Sequence, residues 1–292
     1  MKPPPFEYEA PRDLGAALDV LEQCGADGKV LAGGQSLVPL LNFRLARPEV
    51  LIDINEVQEL AYLRREDGRL HIGSLTRDAQ AERSRLVADH WPLLADALRW
   101  VGHPQIRNRG TVGGSVAHAD PAAELPVVLC ALDARYHARS TRGARTLDSE
   151  EMFRGQLQTG LEPDELLCEI EVPAMAPGAG WAFMEFARRH GDFALGGAAV
   201  VVESDEDATC RRAAICLLGA GPTPVRPRAA EQALVGHPLT ADVVSAAAAD
   251  AVRDIRPRGD IHGGSEYRTG LIETLVGRAL TAAAARANGA AS

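Results

Sequence analysis

Two short segments, each with paired glycines and a hydroxyl residue, constrain this chain more than any other feature of its sequence. They are Ala32–Ser36, which reads Ala-Gly-Gly-Gln-Ser, and Thr111–Ser115, which reads Thr-Val-Gly-Gly-Ser. Glycines lack a Cβ, so a ligand can approach their backbone N–H groups closely. Each segment stands near an expected helix start, where free N–H groups favour an anion. A single segment of this kind is common in ordinary tight turns. Two of them together suit the two phosphates of a pyrophosphate.

The residues around the segments predict the local structure. An apolar strand, Val30–Ala32, leads into the first segment, and a helix over Leu37–Leu45 follows it. Behind the second segment, Asp120 is a candidate N-cap, and Pro121 would begin a helix that runs to Leu132. Neither segment is a G-x-G-x-x-G fingerprint or a P-loop, so the pattern predicts phosphate binding outside those two classes of fold.

A resemblance to a known family rests on these two segments and on 117–121, Ala-His-Ala-Asp-Pro. They are similar to the flavin-binding loops of the medium subunits of molybdenum hydroxylases. This family includes the carbon monoxide dehydrogenase flavoprotein and the FAD part of xanthine dehydrogenase. The resemblance extends from Phe6 to about Leu280. Two later segments, 188–194 and 260–268, resemble the signatures that open the family's C-terminal domain and its last helix.

The family resemblance implies an α+β fold with a two-lobed FAD-binding domain of the PCMH (vanillyl-alcohol-oxidase-like) type. We expect this domain over 1–176, with lobes 1–59 and 60–176. The strand–helix–strand alternation near the N-terminus predicts a small parallel sheet in the first lobe. Three strand-like runs after the Pro/Gly-rich segment 176–180 predict a three-stranded antiparallel sheet. Helices follow these strands, and together they make a C-terminal domain over 181–285.

The site residues are carried over from the family by position. One group is expected to hold the FAD pyrophosphate from one side, and it comprises Ala32, Gly33, Gly34, Gln35, Ser36 and Leu37. A second group is expected to hold it, and the ribityl chain, from the other side, and it comprises Thr111, Gly113, Gly114, Ser115, Ala117 and His118. Asp120 and Glu124 match positions that contact ribityl or ribose hydroxyls in the family.

Three further side chains are candidates for contact with the isoalloxazine ring. Leu166 or Leu167 matches an aliphatic residue that lies on the ring, and Phe193 matches a position at its edge. Structural alternatives stay open for several candidates: a plain N-cap for Asp120, and core packing for Leu166 and Leu167. None of the glycine-segment residues is an acid or a base, so this chain is expected to bind the cofactor without catalytic residues of its own.

Charge and composition exclude several classes of partner. The net charge is −9 and the isoelectric point is near 5.4, so no basic surplus exists to neutralise nucleic-acid phosphates. Aromatic residues make up 4% of the chain, which provides few platforms for base stacking. No apolar run approaches the roughly 18 residues of a membrane span, and the N-terminus has no signal-peptide core. We therefore expect a cytoplasmic protein.

The cysteines and histidines predict no metal centre on this chain. The five cysteines form no C-x-x-C pair, and buried free thiols are the expected interpretation. The eight histidines make no H-x-x-x-H pattern. The two [2Fe-2S] clusters and the molybdenum cofactor that the family uses must then lie on partner subunits, a small iron–sulfur chain and a large molybdenum chain.

The prediction is therefore an FAD-binding electron-relay subunit within a dimer of heterotrimers. It would accept electrons from the iron–sulfur subunit and pass them to an external acceptor, which could be NAD, a quinone, oxygen or another carrier. One alternative is a free-standing FAD-dependent oxidoreductase of the same flavin-binding superfamily, which would need its own acid or base at the flavin. A second is a scaffold subunit that has lost flavin, which the two intact glycine segments disfavour.

Overall fold

The computed structural model describes residues 2–287 and residue 289. The N-terminal lobe consists of β1 (Glu7–Glu9), α1 (Leu14–Cys24), β2 (Gly28–Leu31), α2 (Leu37–Asn42) and β3 (Val50–Asp53). Its strands form a parallel sheet in the order β1-β3-β2, as the sequence predicted. The first glycine segment therefore leaves the carboxyl end of β2, the edge at which parallel sheets bind ligands.

Helix α1 shows why the sequence of this lobe was informative. Asp13 accepts a hydrogen bond from Ala16 N at 2.8 Å and caps the helix. Three of the buried positions, Leu14, Leu18 and Leu21, follow helical spacing and pack with β3 in a small hydrophobic cluster. The N-cap, the apolar stripe and the glycine that ends the helix all lie where the sequence predicts them. The tertiary contacts therefore agree with the local pattern.

A five-stranded antiparallel sheet forms most of the second lobe, in the order β4-β5-β10-β6-β7, and a separate two-stranded hairpin joins β8 to β9. The strands are β4 (Leu63–Glu66), β5 (Arg69–Gly73), β6 (Arg135–Ser140), β7 (Gly143–Leu147), β8 (Phe153–Gly155), β9 (Gln158–Thr159) and β10 (Leu166–Val172). The long strand β10 lies at the centre of the sheet.

Seven short helices complete the second lobe. They are α3 (Asp78–Glu82), α4 (Arg85–His90), α5 (Pro92–Leu98), α6 (Pro104–Arg109), α7 (Val112–His118), α8 (Glu124–Ala131) and α9 (Ser149–Met152). Helix α8 is buried along its whole length. The second glycine segment thus lies in a run of three consecutive helices.

The C-terminal part contains three antiparallel strands in the order β11-β12-β13, as predicted, followed by three helices. The elements are β11 (Gly180–Phe186), β12 (Gly196–Ser204), β13 (Cys210–Leu218), α10 (Arg228–Leu234), α11 (Ala241–Ala251) and α12 (Ser265–Ala287). One face of this sheet packs against the three helices, and the other packs against the second lobe. The main hydrophobic cluster is therefore continuous between the two parts of the chain.

All five cysteines are free thiols. Four of them are buried, as the sequence predicted, whereas Cys24 at the end of α1 is half-buried. None of the helices in the described residues is long and apolar enough to cross a membrane.

Candidate functional site

The fold brings the two glycine segments into direct contact. A Cβ built on Gly33 would lie 2.8 Å from Gly110 Cα and closer still to Arg109 O, so this position has no room for a side chain. A Cβ built on Gly114 of the second segment would lie 3.7 Å from Ala32 Cβ of the first. Gly34 has a φ of +74°, a backbone conformation that favours glycine. The glycines thus allow two segments that are far apart in sequence to form one site.

A polar bridge that the sequence analysis missed connects the two segments. Asn55 donates from Nδ2 to Ala32 O at 2.8 Å, and Arg77 donates to Asn55 Oδ1 at 2.7 Å. Arg77 also donates to Arg109 O at 2.5 Å. Asn55 follows β3 at the carboxyl edge of the parallel sheet, a position that could have identified it. No local signal marks Arg77, because its partners are 22 and 32 residues away.

The first segment presents free donors. Within the described residues, the N–H groups of Gly33, Gly34, Gln35 and Ser36 make no hydrogen bond to the chain. Gln35 folds its side chain back to donate from Nε2 to Gly33 O at 2.9 Å. The Ser36 hydroxyl makes no capping bond to α2, whose first residue is Leu37. Successive unpaired amides next to a helix start fit a phosphate group.

The second segment differs from the loop that the sequence suggested. Thr111 is the N-cap of α7, so Gly113 and Gly114 lie in the first helical turn. Their N–H groups already donate within the chain, from Gly113 to Ser74 O and from Gly114 to Thr111 Oγ1, both at 3.0 Å. The half-buried Ser115 makes no side-chain hydrogen bond within the described residues, so its hydroxyl is the free polar group of this segment.

The helix that was predicted to begin at Pro121 begins later, which is a correction to the sequence analysis. Helix α8 starts at Glu124, and its N-cap is Ala123. Asp120 instead accepts a hydrogen bond from Ala122 N at 2.8 Å, in a turn between α7 and α8. A left-handed residue, Ala119 with φ of 52°, ends α7 and separates the two helices.

The remaining polar candidates line the end of α7 and the start of α8. Ala117 is exposed, whereas His118 and Asp120 are half-buried. His118 Nε2 lies 3.9 Å from Asp120 Oδ2, and burial lowers the pKa of His118. Glu124 is buried, and its burial raises the pKa of its carboxyl to about 7.

Further buried polar groups without a partner lie around this region, and the sequence analysis did not identify them. Ser74 Oγ, Asp78 Oδ1 and both carboxylate oxygens of Glu185 make no hydrogen bond within the described residues. Burial, with repulsion from Glu124, raises the pKa of Asp78 to about 7 and that of Glu185 to about 8. Unpaired buried polar atoms are costly, and they mark positions where a bound polar group would be favourable.

We expect Glu185→Gln to remove one pH-dependent part of the stability. The carboxyl has a pKa of about 8 in the folded chain, against an ordinary value of 4.5, because it is buried beside Glu124. Its stabilising contribution is complete below pH 4.5 and is lost as the pH rises towards 8. Between pH 5.5 and 7.0 the wild type should therefore lose about 2 kcal/mol relative to the variant.

Urea unfolding of both proteins across this pH range would measure the difference. Glu206→Gln, at an exposed position in the turn after β12, is the control and should show none. A constant difference between Glu185→Gln and wild type at all pH values would contradict the prediction.

The three residues that were predicted to contact the isoalloxazine ring lie in different environments. Leu166 and Leu167 are both buried, on opposite faces of β10. Leu166 belongs to the hydrophobic cluster against which Ala32 of the first segment packs, and Leu167 belongs to the main core. Phe193 lies between β11 and β12 and is 72% exposed. Leu166 is thereby connected through packing to the first glycine segment, and Leu167 shares the main core with Val112 of the second.

Two family models match the chain. Residues 4–175 match the FAD binding domain in molybdopterin dehydrogenase. Residues 181–283 match the CO dehydrogenase flavoprotein C-terminal domain.

Characterised proteins and solved structures resemble the chain over nearly its full length. The alpha subunit of the 6-hydroxypseudooxynicotine dehydrogenase complex of Paenarthrobacter nicotinovorans is 47% identical, with 98% of this chain and 97% of that protein covered. The beta subunit of caffeine dehydrogenase from Pseudomonas sp. is 42% identical, with the same coverage. A structure of carbon monoxide dehydrogenase from Hydrogenophaga pseudoflava, lacking the Mo-pyranopterin moiety, superimposes with a TM-score of 0.95 at 42% identity, covering 98% of this chain and 99% of the other.

Proposed function

This chain belongs to the FAD-binding subunits of the molybdopterin dehydrogenases, and we propose that it is the electron-relay subunit of a molybdenum hydroxylase. The observation that carries the proposal is the junction of the two glycine segments, with its row of unpaired N–H groups. FAD exchanges electrons either singly or in pairs, and so can receive them from iron–sulfur clusters and deliver them to a two-electron acceptor. The protein's own groups supply binding, orientation and shielding from water.

The two segments have distinct tasks in this proposal. Gly33, Gly34, Gln35 and Ser36 would bind the pyrophosphate through their free N–H groups, supported by the start of α2 at Leu37. The first turn of α7 would pack beside the pyrophosphate without donating to it, since the N–H groups of Gly113 and Gly114 already donate within the chain. Thr111 would hold this turn in place as its N-cap. The hydroxyl of Ser115 would contact the ribityl chain.

The remaining site residues would surround the sugar and the ring. Ala32 and Ala117 would provide small contact surfaces, while His118, Asp120 and Glu124 would serve the ribityl or ribose hydroxyls. The buried carboxyl groups of Asp78 and Glu185 could also accept hydrogen bonds from hydroxyl groups, which would satisfy oxygens that make no hydrogen bond within the described residues. The ring contacts of Leu166, Leu167 and Phe193 stay predictions. Leu166 is favoured over Leu167, because it packs with the cluster beside Ala32.

Substrate oxidation would take place on a partner chain. The relatives act, by their names, on 6-hydroxypseudooxynicotine, caffeine and carbon monoxide, although their flavin subunits resemble this chain to similar degrees. This diversity supports a shared relay role here and a substrate choice made elsewhere. A large subunit with the molybdenum cofactor and a small subunit with two [2Fe-2S] clusters are the proposed partners. A dimer of heterotrimers in the cytoplasm is the expected assembly.

The proposed domain division follows the sequence prediction, with a flavin domain over 1–176 and a C-terminal domain over 181–285. The segment between them contains the turn around Gly178 before β11 begins. Since the main hydrophobic cluster includes residues from both sides, we expect the two domains to unfold together rather than independently.

Native purification from the source cells tests the function. We expect this chain to co-purify with two further subunits, with one FAD per copy of this chain and an iron–sulfur absorbance from the partners. Native mass spectrometry should give two copies of each subunit. A yellow single chain without iron would instead indicate a free-standing flavoenzyme, and a complex without flavin would contradict the relay role.

A further inference from the structure

A cluster of two histidines and two glutamates lies on the five-stranded sheet, on the face opposite the main core. His71 of β5 stands opposite Glu171 of β10 in the register, and His137 of β6 stands opposite Glu169. The alternate residues of these strands, such as Ile72 and Ile170, pack in the core. The four side chains are mostly buried although they occupy the outer face, and His137 is the most exposed of them at 31%.

The distances from each histidine to the glutamates of this cluster match those between ligands of one metal ion. His71 Nδ1 lies 3.0 Å from Glu169 Oε1. His137 Nε2 lies 3.4 Å from Glu171 Oε2 and 3.7 Å from Glu169 Oε1. Two ligands bound tetrahedrally to Zn²⁺ at ordinary bond lengths are separated by about 3.4 Å. Donor atoms of His71, Glu169 and Glu171 all lie within 4.8 Å of one another, whereas His137 lies close to both glutamates but outside this set and would join it by a shift of its ring.

The outward atoms of these side chains are held by neighbours. Thr146 Oγ1 lies 3.0 Å from His137 Nδ1, so the opposite ring nitrogen is directed into the cluster. Tyr62 donates to Glu169 Oε2 at 2.5 Å, and Arg69 pairs with Glu171 Oε1. Partners of this kind orient the ligands at metal sites, and losing one weakens binding.

Among the inner atoms, His71 Nδ1 and Glu169 Oε1 hydrogen-bond to each other, whereas His137 Nε2 has no such partner within the described residues. His137 Nε2 is buried and makes no hydrogen bond within the described residues, although two carboxylate oxygens lie close to it. A hydrogen-bonded ion network would be expected to use this nitrogen as a donor. A nitrogen that faces two carboxylates without bonding to either is better explained by a shared third partner.

We propose that His71, His137, Glu169 and Glu171 form a binding site for a divalent transition-metal ion of the Zn²⁺ type. Two imidazole nitrogens and two carboxylate oxygens make a donor set that suits this ion in tetrahedral coordination. The ion would connect β5, β10 and β6 across the middle of the sheet, and so would stabilise the second lobe. Sequence spacing could not indicate the site, because the ligands come from three strands that are adjacent only in the folded sheet.

Titration of the full chain with Zn²⁺ tests the proposal. The chain is prepared without a polyhistidine tag and treated with a chelator, and binding is followed by calorimetry and by the visible difference spectrum of Co²⁺. We expect one ion per chain and the intense visible absorption of tetrahedral Co²⁺. Zn²⁺ at 100 times its dissociation constant should raise the melting temperature by about 5 °C.

Matched variants locate the site. His71→Gln and His137→Gln should each weaken binding more than about 100-fold, and Thr146→Val, which removes only the orienting hydroxyl, about 10-fold. His237→Gln, at an exposed turn, should bind as the wild type does. Circular dichroism and FAD content confirm the fold of each variant, and Thr146→Val keeps the test decisive if a histidine variant fails to fold. The proposal would be overturned if the wild type bound no stoichiometric Zn²⁺, or if His71→Gln and His137→Gln bound the ion as tightly as the wild type.

Discussion

Gly33→Val is expected to lower FAD affinity by about 10- to 100-fold, because the first glycine segment can then no longer pack against the backbone that leads into the second. Even a single Cβ at this position would lie 2.8 Å from Gly110 Cα and closer to Arg109 O, and both are backbone atoms that cannot rotate away. A β-branched side chain forces a larger separation. Overpacking of this kind costs about 1–3 kcal/mol or more, and 1.4 kcal/mol corresponds to a tenfold change in affinity.

The affinity can be measured by titrating FAD into the chain and following the quenching of flavin fluorescence, with the FAD content of the purified complex as a second measure. Gly270→Val is the matched control, since no atom lies within 4 Å of a Cβ built on this α12 residue. It should retain wild-type affinity. A folded Gly33→Val protein that binds FAD as tightly as the wild type would show that contact between the segments is not required.

A second consequence of this geometry concerns Arg77 and Asn55. Their hydrogen bonds hold the carbonyl group of Ala32 in the first segment and that of Arg109, two residues before the second. The pyrophosphate site is therefore preorganised by side chains that need not contact the cofactor themselves. Such preorganisation lowers the cost of binding, because the segments lose little further freedom when the ligand arrives.

Local patterns predicted the elements whose contacts are mostly near in sequence. Helix α1 had its cap and apolar stripe, and the three strands β11, β12 and β13 follow one another as antiparallel neighbours. The cofactor segments were identified by composition and by resemblance to a family. The same patterns gave the wrong start for α8, because Pro121 suggested the first turn of a helix. In the structure, Ala119 ends α7 in the left-handed conformation and Asp120 forms a turn, so α8 begins only at Glu124.

Contacts between distant residues determined the parts that the sequence did not predict. Thr111–Ser115 was expected to be a loop, because it resembles a flavin-binding loop of the family and contains paired glycines. Two glycines also disfavour a helix interior. In the fold, Gly113 instead allows α7 to pack against the backbone of Ser74, so the tertiary contact outweighs the helix propensity. The Asn55–Arg77 bridge and the His71–His137 cluster likewise depend on strand and segment pairings that no local pattern indicates.

The largest expected loss of stability comes from Arg226→Met, because it removes the buried cation of Glu231 and leaves only the exposed Arg228, at 3.3 Å, to pair with this buried carboxylate. Arg226 pairs with Glu231 at 2.5 Å, and their side chains are only 7% and 6% exposed. Arg226 also donates to Cys130 O at 2.9 Å and pairs with Asp133 at 3.0 Å, which connects the C-terminal part to the end of α8. Removing one partner of a buried ion pair lowers the free energy of unfolding by about 3–5 kcal/mol. Replacing both partners with apolar residues of similar volume usually costs far less.

The free energy of unfolding, measured with urea at neutral pH, should fall by about 3–5 kcal/mol. Arg212→Met is the matched control, because Arg212 contacts the same Asp133 but its side chain is 41% exposed. Water solvates that exposed pair, so its loss should cost no more than about 1 kcal/mol. The double change Arg226→Met with Glu231→Gln should recover part of the loss, because it removes the buried charge while Gln can still accept from Ile215 N. Equal losses in the two single variants would mean that burial of the Arg226–Glu231 pair does not determine its contribution.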